Sequence, residues 1–364
     1  MSELAELTSA LVRAESVNPS LDSSGSGEGP AVRVAAAWAE DQGLRVDVDE
    51  LEPGRTNLLV HGGRGGGPTV MLLGHLDTVS GAAMDDPFSG EVSAGRVHGR
   101  GAYDMKGAVA AALVAARDLN REGLAGSVVV ACAAHEEYAS VGAERLVARG
   151  PLPDHVIVCE PTDEVLAIAH RGFAGFEIEV RGRAAHGSRP DLGSDAIAAT
   201  GPILTRLGTL AGELLARERH PLLGTPSVHA SLISGGQEFS SYPERCLVEG
   251  ERRTLPGETD DMIAAEVAAL AVGVDATTKL VFSRPPLQTD PAAAVVQAVA
   301  RAAGTSAVEG IPYWTDGALF GAAGVPTGIF GPRGAGAHAA EEWVEVASLE
   351  RCASVYADAV RALV

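Results

Sequence analysis

Between positions 107 and 160 the chain alternates apolar runs with helical patterns, and this alternation constrains the fold more than any other feature. "GAVAAALVAARDLN" predicts a helix, "SVVVACAA" a buried strand, "SVGAERLVARG" a helix and "DHVIVCE" another strand. Strands this apolar, alternating with helices, predict a sheet that helices cover on both faces. Two earlier runs, "NLLVHGG" and "TVMLLGH", predict further strands, and we expect "GGRGGGP" to join them as a hairpin turn.

The pattern changes near position 170 and returns after position 283. "FEIEVRG" and "CLVEGERR" alternate apolar and polar residues, which is typical of a sheet with one face in water. Helices are predicted at about 193–217 and 259–272. A chain of 364 residues exceeds the size of one small core. We therefore predict an α+β domain at 171–281, inserted into an α/β domain formed by 1–170 and 282–364.

Composition narrows the classes of partner. A formal net charge of -20 opposes binding to nucleic acid and to anionic membranes. No apolar run approaches the ~20 residues of a membrane span, and no leader pattern opens the sequence. The cysteines form no CxxC pair and fit buried thiols in a reducing cytosol; they are Cys132, Cys159, Cys246 and Cys352. We expect a soluble, cytoplasmic protein.

Polar residues interrupt the apolar frame where predicted strands end. Ligands bind at the carboxyl ends of strands in open α/β sheets, so these residues are the candidates for a functional site. The residues that follow apolar runs are His75, Asp77, His135, Glu136, Glu137, Glu160 and His338, and Asp104 precedes the alanine-rich helix.

Taken alone, each has an ordinary explanation: a hydrogen-bonded structural histidine, a helix N-cap for Asp104, or a carboxylate facing water. Together they would place several negative charges at one edge of a sheet, which is costly without a counter-ion. Imidazole and carboxylate ligands without a thiolate suit zinc, cobalt or manganese. Five ligands are too many for one open tetrahedral site and suit two ions that share a carboxylate.

Seven motifs in order along the chain carry a family resemblance. They are "GHLDTV", "GRGAYDMKGA", "HEEY", "CEPT", "GRAAHGSRPDLGSDAI", "ERRTLPGE" and "GAGAHAAEEWVEV". The chain resembles the co-catalytic dinuclear zinc metallopeptidases that include acetylornithine deacetylase, succinyl-diaminopimelate desuccinylase, aminoacylase and carboxypeptidase G. The resemblance implies a zinc-exopeptidase-like α/β domain with a central mixed sheet, and an inserted ferredoxin-like lid and dimerisation domain. His135 and Tyr138 depart from the family pattern around the adjacent glutamates.

The resemblance also implies a role for each candidate residue. It implies that His75 and Glu160 bind the first metal, that Glu137 and His338 bind the second, that Asp104 bridges both, that Glu136 is the general base, and that Asp77 orients His75. A physical argument supports the role implied for Asp77 beside His75. A carboxylate two residues along a strand from a histidine lies on the same side, where it can hold the other ring nitrogen of a metal-binding imidazole.

Two residues of the inserted domain join the set by resemblance. His186, in "AAHGS", matches a histidine that reaches the partner subunit's active site in relatives and helps to hold the developing oxyanion. Arg253, in "ERRTLPGE", matches an arginine that pairs with a substrate carboxylate, which a planar guanidinium grips bidentately. The alternatives are a surface-loop histidine and a strand arginine that pairs with Glu251.

These residues predict a metal-dependent amidohydrolase that cleaves small N-acyl amino acids, of the deacetylase or desuccinylase type, and that forms a homodimer. The alternative is an exopeptidase, either a carboxypeptidase or a dipeptidase, with the same machinery. A binding or scaffold protein that has lost catalysis conflicts with the intact Glu136. A nucleotide-binding protein conflicts with the position of "GSGEGP", which follows no predicted strand.

Overall fold

The computed structural model describes residues 2–364, which divide into two compact units. The first unit comprises the residues up to Ile168, Gln288–Gly310 and Thr315–Val364, and the second comprises Ala169–Leu287 and Ile311–Trp314. Within these residues the helices are α1 (Glu3–Arg13), α2 (Gly29–Asp41), α3 (Gly107–Glu122), α4 (Val141–Arg149), α5 (Ala196–Ala216), α6 (Asp260–Leu270), α7 (Ala294–Ala303), α8 (Gly317–Ala322) and α9 (Val346–Leu363).

The described strands range from two to ten residues. They are β1 (Arg45–Glu52), β2 (Arg55–Gly63), β3 (Thr69–His75), β4 (Val92–Ser93), β5 (Arg96–His98), β6 (Ser127–Ala133), β7 (His155–Val158), β8 (Ala167–His170), β9 (Gly172–Arg181), β10 (Ser227–Gly235), β11 (Arg245–Thr254), β12 (Ala276–Arg284), β13 (Leu287–Gln288), β14 (Glu309–Ile311), β15 (Thr327–Ile329), β16 (Gly334–Ala335) and β17 (Trp343–Glu345). A π-type turn, Ala102–Lys106, precedes α3.

The first unit is built on a mixed sheet with the strand order β1-β2-β6-β3-β7-β15, which β8 and β13 continue. β3 runs parallel to both β6 and β7, and β15 runs parallel to β7. In β3 and β6 every residue after the first is buried. Since successive side chains point to opposite faces, both faces of these strands are covered, as the sequence predicted.

The predicted hairpin between "NLLVHGG" and "TVMLLGH" is wrong. β6 lies between β2 and β3, antiparallel to the former and parallel to the latter. The glycine-rich loop instead passes over the start of β6, where Arg64 and Gly65 donate backbone hydrogen bonds to Leu124 and Gly126. The glycine-rich segment predicted a tight turn between its flanking strands. In the structure the apolar β6 lies between them and forms backbone hydrogen bonds along both of its edges.

The second unit contains an antiparallel sheet with the strand order β10-β11-β9-β12. Its element order, β-α-β-β-α-β, gives the ferredoxin-like arrangement. Helices α5 and α6 begin at side-chain caps, where Asp195 accepts from the Ala198 amide and Thr259 from the Met262 amide. Both helices pack on the sheet around a core that includes Phe176, Ile178 and Val248.

Among the described residues, none of the helices has the length and apolarity needed to cross a membrane. The four cysteines are free and buried, as the sequence predicted.

Candidate active site

The parallel strands of the first unit bring three predicted segments to one edge of the sheet. His75 is the last residue of β3 and pairs with Ala133 at the end of β6, two residues before His135. Leu73 of β3 pairs with Val158, the last residue of β7, two residues before Glu160. Since the carboxyl ends of parallel strands meet at one edge, these polar groups converge there.

His75 lies at the centre of this group and is 1% exposed. Its Nε2 atom lies 3.3 Å from Asp104 Oδ1, 3.6 Å from Glu160 Oε1 and 3.8 Å from Glu136 Oε2. Its Nδ1 atom lies 2.9 Å from the backbone oxygen of Asp77. In the neutral ring, a proton on Nδ1 donates to this carbonyl and leaves Nε2 free to bind a cation among the carboxylates.

Asp104 and His338 extend the group to a second position. The π-type turn before α3 carries Asp104, whose φ of -117° and ψ of 92° are not helical. His338 lies on the loop between β16 and β17, with a φ of 60°. Its Nε2 atom is 3.0 Å from Glu137 Oε2 and 3.5 Å from Asp104 Oδ2. Asp104 therefore contacts an imidazole with each of its two carboxylate oxygens.

The Asp77 carboxylate has a different set of partners from the one expected. Its Oδ1 atom lies 3.6 Å from His75 Nδ1, which is too long for a hydrogen bond, and the Asp77 backbone carbonyl holds that nitrogen instead. The carboxylate accepts hydrogen bonds from the backbone amides of Glu136 at 3.2 Å and Glu137 at 3.3 Å, and from Asn18 Nδ2 at 2.7 Å. Asp77 thus holds the segment that carries both glutamates.

A buried network behind Asp77 was not predicted from the sequence. Asn18 accepts a hydrogen bond from Arg55 at 2.8 Å, and Arg55 forms an ion pair of 3.2 Å with Glu28. Glu28 also accepts from the His135 backbone amide at 3.0 Å. These residues come from the loop before α2, from the N-cap of α2 and from β2, and no spacing in the sequence links them.

His135 belongs to this network. Its Nδ1 atom accepts from the Ala139 amide, and its Nε2 atom lies 3.0 Å from Ser20 Oγ. Since Nδ1 is an acceptor, the neutral ring carries its proton on Nε2 and donates it to Ser20. Tyr138 packs edge-on against the His135 ring and is exposed. Both ring nitrogens of His135 are thus engaged by Ala139 and Ser20.

The charges at this sheet edge are strongly coupled. Burial opposes protonation of His75, but the contact with Asp104 and the charges of Glu136 and Glu160 raise its pKa well above 6.5. Contacts with Asp104 and Glu137 raise the pKa of His338 to about 10. Burial raises the pKa values of Glu136 and Glu160 well above 4.5. The close carboxylates therefore favour positive charge at this edge of the sheet, supplied by protons on the imidazoles or by a bound cation.

This donor set fits divalent cations. Ligand atoms of His75, Glu136 and Glu160 lie within 4.8 Å of one another, and so do those of His75, Asp104 and Glu137. Imidazole nitrogens with carboxylate oxygens are the donors that zinc and similar ions bind in catalytic sites. The adjacent Glu136 and Glu137 fall in different sets, so they face different positions. The structure therefore contains a possible metal site at the predicted edge of the sheet.

Two of the predicted residues, His186 and Arg253, lie in the second unit. His186 is exposed on a loop that pairs with Ser241, and its Nδ1 atom accepts from the Ser188 amide at 3.2 Å. Arg253 lies on β11, where it donates to Glu251 at 2.5 Å and stacks over Phe173 at 5.0 Å. The alternative pairing of Arg253 with Glu251 is thus present in the structure.

Fold and donor set together are typical of a metal-dependent hydrolase. A family model described as Peptidase family M20/M25/M40 matches residues 71–362. The acetylornithine deacetylase of Myxococcus xanthus is 32% identical over 349 residues, which are 91% of this chain and 91% of that protein. The acetylornithine deacetylase of Vibrio atlanticus is 31% identical over 69% of this chain and 68% of its own length.

Solved structures share the fold. The aminopeptidase PepT of Bacillus cereus has a TM-score of 0.80 at 19% identity, covering 99% of this chain and 98% of its own. The YXEP protein of Bacillus subtilis, described as a dinuclear metal binding peptidase, has a TM-score of 0.75 at 19% identity, covering 98% and 96%. The chain belongs to peptidase family M20/M25/M40 and, like the family, is a hydrolase that acts on amide bonds.

Proposed function

We propose that this hydrolase cleaves the amide bond of a small N-acyl amino acid and releases a carboxylate and an amine. The convergence of His75, Asp104, Glu136, Glu137 and Glu160 at one sheet edge is the observation that carries the proposal. The similarity to acetylornithine deacetylases along 91% of the chain favours an acyl amino acid over a peptide. The likeness to an aminopeptidase fold supports the alternative, an exopeptidase with the same residues.

Each residue has a proposed task. His75 and Glu160 would hold one divalent ion, Glu137 and His338 would hold a second, and Asp104 would be shared between them. We propose zinc, with cobalt and manganese as the other ions that these donors accept. Ions bound in this way would supply Lewis acidity, which polarises a carbonyl group and acidifies water.

Glu136 is the proposed general base. Its carboxylate lies beside the His75 Nε2 atom, and Asp77 fixes the Glu136 backbone by accepting its amide hydrogen. Glu136 accepts a proton from the attacking water and delivers it to the leaving nitrogen as the amide carbon–nitrogen bond breaks. The products are the carboxylate of the acyl group and the free amino group of the amino acid.

The second unit would contribute substrate contacts. Since Nδ1 of His186 accepts from Ser188, its neutral ring carries the proton on Nε2, which is the donor that an oxyanion requires. Arg253 would bind the substrate carboxylate in competition with Glu251, whose carboxylate already occupies its guanidinium. The stacking on Phe173 would keep the guanidinium plane in place during such an exchange.

The adjacent glutamates provide a matched pair for the test. In protein loaded with zinc, Glu136→Gln should lower kcat on N-acetyl and N-succinyl amino acids by about 10²–10⁴-fold and retain the bound metal. Glu137→Gln should lose metal as well as activity. Metal content per chain and rates on acyl amino acids and dipeptides are measured side by side. Retained activity in Glu136→Gln would overturn the mechanism, and faster hydrolysis of dipeptides would favour the exopeptidase.

We further propose a cytoplasmic homodimer formed through the second unit. β10 is an edge strand, and its Leu232 and Ile233 are 62% and 55% exposed. An exposed apolar edge pairs readily with another copy, since two identical edges satisfy each other across a two-fold axis. Ile233→Lys should give a monomer in sedimentation equilibrium, whereas an unchanged mass would reject this interface. The free, buried cysteines support a reducing compartment.

A further inference from the structure

Glu342 lies on the short connection that carries His338, and the residue is 2% exposed. Its Oε1 atom accepts from the backbone amides of Tyr103 and Asp104, each at 3.0 Å. Its Oε2 atom accepts from the Gly101 amide at 3.0 Å and from Arg100 Nη1 at 2.7 Å. One carboxylate thus receives four donors from the segment that presents Asp104.

Further bonds join the same two segments. Arg100, itself buried, donates to the backbone oxygen of Ala339 at 2.8 Å, and the Gly99 amide donates to the backbone oxygen of Glu342 at 3.0 Å. His338, by contrast, has a 54% exposed side chain and a positive φ. The position of its ring relative to Asp104 therefore depends on how the base of its loop is fixed.

We propose that Glu342 is a positioning residue that anchors the loop of His338 to the segment carrying Asp104 and thereby sets the affinity of the second metal position. The inference rests on the metal assignment under Proposed function. Glu342 is not itself a ligand, since donors occupy both of its oxygens. Residues that orient metal ligands through hydrogen bonds typically change metal affinity by about 10–100-fold when they are replaced.

The chemistry of the substitution follows from the four donors. Glutamine keeps the size of the side chain but offers one acceptor oxygen, so its NH₂ group must face either the Tyr103 and Asp104 amides or Arg100. Two of the four side-chain bonds are lost in either orientation. Glu341, the preceding residue, is exposed, so Glu341→Gln removes the same charge one position away.

The experiment titrates zinc into chelator-stripped, full-length protein by calorimetry, with cobalt absorption as a second readout. For Glu342→Gln, the second binding step should weaken by about 10–100-fold, while the first step and both steps of Glu341→Gln stay within a few-fold of wild type. Glu342→Asp keeps the charge but shortens the side chain, so it should weaken the second binding step less than Glu342→Gln does. It is the variant to titrate if Glu342→Gln fails to fold. A purely structural role would lower the unfolding midpoint of the metal-free protein without separating the two steps.

Two results would overturn the inference alone: tight binding of both ions by Glu342→Gln, or equal weakening of both steps, in each case with a wild-type chain that binds two ions and hydrolyses acyl amino acids. A wild-type chain that binds fewer than two ions would overturn the proposed function and this inference with it.

Discussion

In the first unit, His75 ends a strand whose residues are buried on both faces, whereas in the second unit Arg253 lies on a strand with only alternate residues fully buried. A polar residue that ends a fully buried strand stands out in the sequence and is placed at the sheet edge by the topology. A half-exposed strand carries many polar residues, so a functional one among them does not stand out in the sequence. The candidate residues of the first unit accordingly form one cluster, whereas His186 bonds to Ser188, and Arg253 pairs with Glu251 and stacks on Phe173.

Removal of the imidazole at the centre of the cluster should have the largest effect. His75→Ala should lose the bound metal and lower the rate of hydrolysis by roughly 10⁴-fold or more. The reason is that removing one member of a cooperating catalytic set costs about as much activity as removing the whole set. Metal content and kcat are measured on the same sample. His61→Ala, at a half-buried histidine on β2 that pairs with Asp47, should keep both. Full metal content in His75→Ala would show that the cluster is not the metal site.

The second unit is tested by a change that should separate activity from metal binding. His186→Ala should lower kcat by about 10²–10³-fold, the usual cost of removing one oxyanion donor, with metal content and unfolding midpoint unchanged. His186→Gln retains an N–H donor and should recover part of the loss. Unchanged kcat would instead establish His186 as a surface-loop residue.

A smaller effect is expected within the first unit at Asp77. Asp77→Asn leaves one oxygen for the Glu136 and Glu137 amides and for Asn18, so at least one of these bonds is lost. Metal affinity or kcat should fall by about 10–100-fold. The measurement is a zinc titration combined with steady-state kinetics. Wild-type values for both would mean that the segment carrying the glutamates is held by other contacts.

Two buried histidines, one in each unit, differ in the direction of their pKa shifts. Carboxylates raise the pKa of His75, but burial lowers the pKa of His170 in the second unit to about 4. Below pH 6.5 the unfolded state binds a proton at His170 that the folded state does not bind until pH falls to about 4. His170 therefore stabilises the fold fully above pH 6.5, and about 3 kcal/mol of this is lost as pH falls toward 4.

The check on His170 is the free energy of unfolding between pH 7 and 4.5 in wild type and in His170→Asn. Asparagine can donate to the Arg171 carbonyl, which the His170 Nδ1–H does in the native chain. The difference in stability between the two proteins should shrink as pH falls. Parallel curves would show that His170 does not titrate in this range.

The sequence predicted which polar residues would lie close together because the carboxyl ends of parallel strands meet at one edge of a sheet. The residues that follow those strands therefore converge there. It did not predict the placement of β6 between β2 and β3, since a glycine-rich loop does not indicate which strand its neighbours pair with. It also missed Glu342, which follows Glu341 and looks like any acidic pair. The partners of Asp77 depend on atomic distances of a few tenths of an ångström, which no spacing in the sequence encodes.

The first unit is discontinuous in sequence, so its segments are synthesised before and after the second unit. Domains generally fold as units while the chain is synthesised from its amino terminus. The sheet of the second unit is complete in sequence at Arg284, whereas the candidate donor set of the first unit also needs His338, and the segment of Asp104 needs the Glu342 carboxylate. A growing chain thus carries His75, Asp104 and Glu160 without their last partners, and the complete donor set forms only after residue 342 has been synthesised.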